Sequence, residues 1–423
     1  MLSVFSNTDF LYMVKFNRFT LSNGLRVIVH EDITTPMAVL NILYDVGARD
    51  EDPKQTGFAH LFEHLMFGGS VNIPNYDEPL QRVGGENNAF TSNDITNYYI
   101  TLPAVNIETA FWLESDRMLS LAFSEKSLEV QRNVVIEEFK QRYLNQPYGD
   151  VWLNLRPLAY KAHPYRWATI GKEISHIEDA RIGDVKAFFA KHYNPQNAIM
   201  VVGGDVTTAQ VKKLAEKWFG PIPAGNKYNR DLPQEPEQLA ARRQTVTAKV
   251  PLNALYIAFH MPARNDEHYH AVDLLSDLLS RGNSSRLYRT LVKDKQLFSE
   301  IHAYTTESLD AGVFVVDGKP VAGVSIETAE AAIWEELDKL KNEPVGIDEL
   351  TKVKNKTEST MAFSEMSLLD KAMNLAYFEL LGDAELFNLE AAQYLAITPL
   401  QIQHQSQDIF KKENSSTLVY LAE

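Results

Sequence analysis

The segment Pro36-Met37-Ala38-Val39-Leu40-Asn41-Ile42-Leu43-Tyr44 returns in altered form as Pro251-Leu252-Asn253-Ala254-Leu255-Tyr256-Ile257-Ala258-Phe259. The first copy runs on to Ala48-Arg49-Asp50-Glu51 and the second to Ala263-Arg264-Asn265-Asp266-Glu267, and an apolar helical stretch follows each. The halves also close alike. One ends in a helix to Tyr193, then Asn194 and a strand over 198–202. The other ends in a helix through Phe410, then Asn414 and a strand over 417–421. This repetition predicts two copies of one unit. The fold class is α+β: two similar domains, each a mostly antiparallel sheet flanked by helices. A polar stretch with Gly220-Pro221-Ile222-Pro223 and Leu232-Pro233-Gln234-Glu235-Pro236 separates them, placing the domains at 14–222 and 246–423 with a linker at 223–245.

Composition narrows the functional classes. With 423 residues the chain is long enough for two buried cores. A net charge of −15 argues against nucleic acid as the main partner, since phosphate is repelled. The acidity either serves solubility alone or lines a negative chamber that favours basic peptides. No apolar run reaches the roughly 18–20 residues that a membrane span needs. Residues 1–12 are mildly apolar, but the first basic residue is Lys15, which makes a poor export signal, and Met13 is an alternative start. The expected compartment is cytoplasmic. Cysteine is absent, so any metal must rest on histidine and carboxylates.

In the first half a turn at Ser22-Asn23-Gly24 precedes the alternating segment 25–30 and predicts a hairpin. Helices are expected over 57–67, 107–120, 125–143 and 182–192, with Asn106 and Ser124 as N-caps, and paired strands over 88–102. The chemistry centres on His60-Leu61-Phe62-Glu63-His64. Positions i and i+4 share one helix face, so both imidazoles can reach one ion, while Glu63 beside them can take a proton from water. Leu61, Phe62, Leu65, Met66 and Phe67 supply apolar packing. A third ligand is offered in Val134-Val135-Ile136-Glu137-Glu138, where the three apolar residues read as buried; the residues alone do not choose between Glu137 and Glu138.

The inverted His-x-x-Glu-His order, the Gly57-Phe58-Ala59 before it, the Gly84-Gly85 turn, Asn88-Ala89-Phe90-Thr91 and the Arg132-Asn133-Val134-Val135-x-x-Glu138 helix together resemble the pitrilysin/insulinase family of zinc metallopeptidases. That family includes mitochondrial processing peptidase subunits. Gly282-Asn283-Ser284-Ser285-Arg286-Leu287-Tyr288 resembles a segment of its second domain. The resemblance covers both halves and implies a LuxS/processing-peptidase-like fold and one Zn2+ per chain. It implies His60, His64 and Glu138 as ligands and Glu63 as general base. It further implies Asn88, Ala89, Phe90 and Thr91 as an edge strand that pairs with extended substrate. The implied activity is endoproteolysis of peptides or unfolded segments within an enclosed chamber.

The chain departs from the family in two respects. Gln131 stands where many relatives carry a supporting Glu. Val292 and Ser299 stand where active relatives place an Arg and a Tyr against the substrate carbonyl, although Arg289 is close by. The chain is therefore expected to pair with a related zinc-less subunit that supplies the Arg and Tyr, or with itself. The alternative is a non-catalytic structural or peptide-binding subunit. The second-half helix Ala271-Val272-Asp273-Leu274-Leu275-Ser276-Asp277-Leu278-Leu279 has no histidine and is expected to bind no equivalent ion. His268 and His270 are expected at the surface, His163 in a loop, Gly203-Gly204-Asp205 at a strand exit, and Met361, Met366 and Met373 in the core of one long helical region, 348–381.

Overall fold

Gly24 has φ 92°, in the left-handed region that a side chain resists, and there the chain reverses from β1 (Asn17–Thr20) into β2 (Arg26–Glu31). The computed structural model describes residues 13–306 and 308–423, so the stretch considered as an export signal lies outside them. The first sheet adds β3 (Met37–Tyr44), β4 (Glu86–Thr91), β5 (Thr96–Pro103) and β6 (Ala198–Gly204), in the order β1-β2-β6-β3-β5-β4. The second contains β7 (Arg242–Ala248), β8 (Ala254–His260), β9 (Phe298–Thr305), β10 (Val313–Pro320) and β11 (Ser415–Ala422), in the order β7-β11-β8-β10-β9.

Apart from β1, the sheets are copies. In each, one pair is parallel (β2 with β6, β7 with β11) and every other pair is antiparallel. The register is shared as well. Tyr44 faces Ala198 and Thr96, and Thr96 faces Thr91; Phe259 faces Ser415 and Phe314, and Phe314 faces Thr305. The duplicated segments of the sequence are thus the central strands β3 and β8.

Both faces of a central strand must be covered, which is why β3 and β6 read as nearly unbroken apolar runs. Helix Leu368–Leu381, from the second half of the sequence, lays Ala372, Leu375 and Ala376 on Ile28, Val39, Leu43, Ile199 and Val201. Gly203 lets it approach, since a Cβ there would lie 3.2 Å from a Leu368 methyl. Conversely, helix Val151–Ala159, from the first half, lays Val151, Leu155 and Ala159 on Ala254, Ala258, Val313, Val315 and Leu418. The compact units therefore differ from the halves 14–222 and 246–423. One runs to Val135 and adds Glu173–Arg230 and Met361–Glu390; the other is Ile136–Lys172, Asp231–Thr360 and Ala391–Glu423. The border falls inside one continuous helix, Glu125–Phe139.

The stretch expected as a linker is extended and pinned. Arg230 bonds Asp45 and Asp50, and the Glu235 carboxylate accepts the N–H groups of Lys161, Ala162 and His163. Its Pro and Gly content reflects lack of regular structure. Several local expectations are corrected. The Asn106 amide donates to the Val83 carbonyl and does not cap Ile107–Leu119, whereas Ser124 Oγ does accept from Ser127 N–H. The helix expected to reach residue 143 gives way to a π-type turn at Lys140–Leu144. The region 348–381 is two helices, Ile347–Ser364 and Leu368–Leu381, the second capped by Ser367; Met366, at the break, is exposed.

Candidate metal centre

Helix Phe58–Met66 buries Phe58, Ala59, Leu61, Phe62, Leu65 and Met66, leaving His60, Glu63 and His64 half-buried along one stripe. Its position is fixed from several directions. Gly57, at φ 89°, turns the chain into the helix, and the buried Glu51 carboxylate accepts the N–H groups of Gly57 (2.9 Å) and Ala59 (2.8 Å). Two donors that a helix start leaves unpaired are thereby satisfied by a negative charge, which the helix dipole also favours. Phe62 packs among Phe123, Phe188, Phe189 and Tyr193. Just past the helix, Phe67 walls one side of Arg117, which lies 4.7 Å from the Tyr76 ring centre and 4.5 Å from that of Tyr98. Arg117 is fully buried and bonded to both oxygens of Glu114. Burial is the main reason that the Tyr76 and Tyr98 hydroxyls titrate well above their ordinary range.

The imidazoles of His60 and His64 meet edge to face, their centres 4.9 Å apart. Glu138, one residue from the end of Glu125–Phe139, joins them: one ligand atom from each of the three lies within 4.8 Å of the others. Glu138 also pairs with Arg142 at 2.8 Å. Glu137 is exposed and pairs with Lys140. Val135 and Ile136 are buried beneath this turn, but Val134, expected with them, is exposed. Two nitrogens and a carboxylate suit a borderline cation such as zinc, and three protein ligands leave a fourth tetrahedral position for water or substrate. Glu63 does not belong to this group. Its Oε2 accepts a 2.7 Å hydrogen bond from Thr91 Oγ1 at the end of β4.

Residues 26–170 match the family described as Insulinase (Peptidase family M16), and residues 180–357 match the Peptidase M16 inactive domain. The zinc protease PqqE of Helicobacter pylori is 31% identical over 417 residues, spanning 96% of this chain and 93% of that protein. The crystal structure of a protease from the same species superposes with a TM-score of 0.90 at 30% identity, covering 97% of this chain and all of that one. The chain belongs to the insulinase family. The same fold, at 19% identity and a TM-score of 0.79, covers 97% of this chain but 48% of the periplasmic protease PqqL from Escherichia coli.

In this insulinase-family chain the segment Asn88-Ala89-Phe90-Thr91 lies on β4, the terminal strand of its sheet. Exposure alternates along it, with Asn87, Ala89 and Thr91 the more covered and Phe90 exposed. The Ala89 N–H is exposed and donates to Asn88 Oδ1 at 2.8 Å. Gln131 is half-buried, two helical turns before Glu138. Val292 lies in a π-type turn, Tyr288–Asp294, and the Ser299 hydroxyl donates to the Lys319 carbonyl. His163 accepts from Tyr165 N–H and faces Asp310, as a loop residue would. His268 is half-exposed, but His270, expected at the surface, is buried against the Tyr394 ring; its helix begins at Tyr269, so its first turn packs inward. Two contributors escaped sequence reasoning. Glu51 looked like one of several charges in a turn, and Thr91 looked like a substrate contact. Among the described residues, no helix is long and apolar enough to cross a membrane.

Proposed function

We propose that this chain is a zinc-dependent endopeptidase of peptides or unfolded polypeptide segments, with His60, His64 and Glu138 holding one Zn2+ and Glu63 serving as general base. One observation carries the proposal: two histidines and a carboxylate from separate helices converge within 4.8 Å, and Glu63 stands outside that set, one residue from His64. A bound zinc ion would polarise the scissile carbonyl and acidify a neighbouring water. Glu63 takes a proton from the attacking water as its oxygen bonds to the carbonyl carbon. The same carboxyl then delivers that proton to the amide nitrogen as the C–N bond breaks, so a carboxylic acid and an amine leave. Asn88, Ala89, Phe90 and Thr91 would present the outer edge of β4 to an extended peptide, whose backbone would add as one more strand. That mode grips many sequences, and the net charge of −15 favours basic ones.

The proposal extends to a second chain. Neither Val292 nor the engaged Ser299 can stabilise a developing oxyanion, and this chain covers only 48% of one chain of PqqL. A related zinc-less subunit, or a second copy, would supply the missing Arg and Tyr. The decisive experiment measures zinc stoichiometry and cleavage of a quenched peptide for the wild type and for Glu63→Gln, alone and with a copurifying homologue. One zinc per chain in both, with turnover only in the wild type, supports the proposal. A chain that binds no zinc, or a Glu63→Gln variant that cleaves normally, defeats it. Full activity without a homologue defeats the zinc-less subunit, and full activity of the chain as a monomer in solution defeats the two-chain part alone.

A further inference from the structure

Thr91 ends β4 and Glu63 lies on the neighbouring helix, so the 2.7 Å bond between them ties the terminal strand to the base. Side chains alternate along a strand. The side of β4 bearing Thr91 also carries Asn87 and Ala89, the more covered residues, and this side turns towards the helix. Asn87 is engaged there with Asp77 at 3.1 Å, and Ala89 is too short to reach across. Thr91 alone of the three spans the gap to Glu63. Its one proton goes to Oε2, so Oε1 is not engaged by this hydroxyl.

We infer that Thr91 is the positioning residue of Glu63, and that its side chain acts on the base while only its backbone belongs to the edge offered to the peptide; the inference rests on Glu63 being the general base. A carboxylate on a flexible side chain samples several rotamers, and misplacing a reacting group by about 1 Å can cost on the order of 100-fold in rate. The hydroxyl removes that freedom. It donates to Oε2 while Glu63 is ionised, and it can go on donating there when Oε1 carries the proton taken from water, since the second carboxyl oxygen stays an acceptor. The contact therefore persists while the proton travels from water to the departing amine. Valine has the same branched shape but cannot donate. Serine can.

The experiment compares Thr91→Val and Thr91→Ser with the wild type by kcat and KM on a quenched peptide, together with zinc content and melting temperature. The expected result for Thr91→Val is a kcat lower by roughly 10- to 100-fold, with KM within twofold and zinc content unchanged. Thr91→Ser should restore kcat to within about threefold of the wild type. An unchanged kcat in Thr91→Val overturns the inference. So does a raised KM at constant kcat, which would make Thr91 a substrate contact, and so does lost zinc, which would put its effect on the ligands. If Thr91→Val fails to fold, a Thr91→Ser variant with kcat down more than tenfold at wild-type melting temperature overturns it, and one with wild-type kcat sustains it. Failure of the function itself is told apart by Glu63→Gln, whose normal turnover would remove the base and leave Thr91 nothing to position.

Discussion

Removing the Glu51 carboxylate tests how helix Phe58–Met66 is held. In Glu51→Ala, the N–H groups of Gly57 and Ala59 lose their acceptors at 2.9 and 2.8 Å, in a place where Glu51, Gly57 and Ala59 are all buried. A hydrogen bond to a charged group contributes about 1.5–3 kcal/mol. Two such bonds, less what water recovers by entering the vacated space, predict a destabilisation of roughly 3–5 kcal/mol. For a domain of about 150–250 residues that corresponds to a fall in melting temperature of roughly 6–20 °C, at about 2–4 °C per kcal/mol. Glu51→Gln keeps one acceptor and loses the charge, so it should fall between the two. His60 is one residue past Ala59, so fraying here should also weaken zinc binding by about tenfold or more, the range seen when residues supporting a metal ligand are lost. Thermal denaturation followed by circular dichroism, and competition titration against a zinc chelator, give both numbers. A Glu51→Ala protein that melts within 2 °C of the wild type and binds zinc equally well would refute the reasoning.

Two further outcomes follow from the structure. His192 is fully buried between Phe188 and Tyr228; burial first, then Lys191 and Arg230, against a smaller opposing pull from Asp45, lowers its pKa to about 3. The folded ring stays neutral while the unfolded one protonates near 6.5, so stability is full above that pH and falls towards pH 3 by about 1.4 kcal/mol per unit. His192→Phe should flatten the decline in melting temperature between pH 7 and 5, and an unaltered slope would remove His192 from it. Ala89→Pro deletes an exposed N–H on the terminal strand. KM for peptides should rise about tenfold or more with zinc content and melting temperature little changed, and wild-type KM would show that substrate does not pair with β4.

Local periodicity carried much of this architecture into view. The echo of Pro36–Tyr44 in Pro251–Phe259 survives because central strands need apolar residues on both faces, and His60, Glu63 and His64 declare themselves because helical spacing alone puts them side by side. Long-range contacts left no such trace. That helix Leu368–Leu381 covers the first sheet depends on Ala372 and Ala376 meeting Val39 and Val201, which no pattern in either segment announces. Arg230 was one charge in a polar stretch until Asp45 and Asp50 appeared around it. Val134 and His270 were misjudged for one reason: composition tells how apolar or polar a helix is, but only its packing partner decides which way a given residue turns.

The duplication also separates what belongs to the fold from what belongs to the site. His60-Leu61-Phe62-Glu63-His64-Leu65-Met66 matches Asp273-Leu274-Leu275-Ser276-Asp277-Leu278-Leu279 position for position, apolar against apolar, with the two histidines replaced by aspartates and Glu63 by Ser276. In the second unit those aspartates are occupied: Asp273 accepts from Tyr394 (2.7 Å) and Thr305 (3.2 Å), and Asp277 from Arg281 (2.8 Å) and Thr357 (3.1 Å). By strand register Thr305 is the counterpart of Thr91. A threonine ending this strand and reaching the helix beside it is therefore a property of the repeated unit. In the first unit an imidazole stands at the Asp273 place, and the hydroxyl meets Glu63 three residues on. A His60→Asp/His64→Asp variant should then keep its fold, read by circular dichroism, because the repeated unit accommodates that pair, and should bind zinc more weakly in a chelator competition because it gives up both imidazole nitrogens; zinc affinity equal to the wild type would show that the histidines are not the ligands.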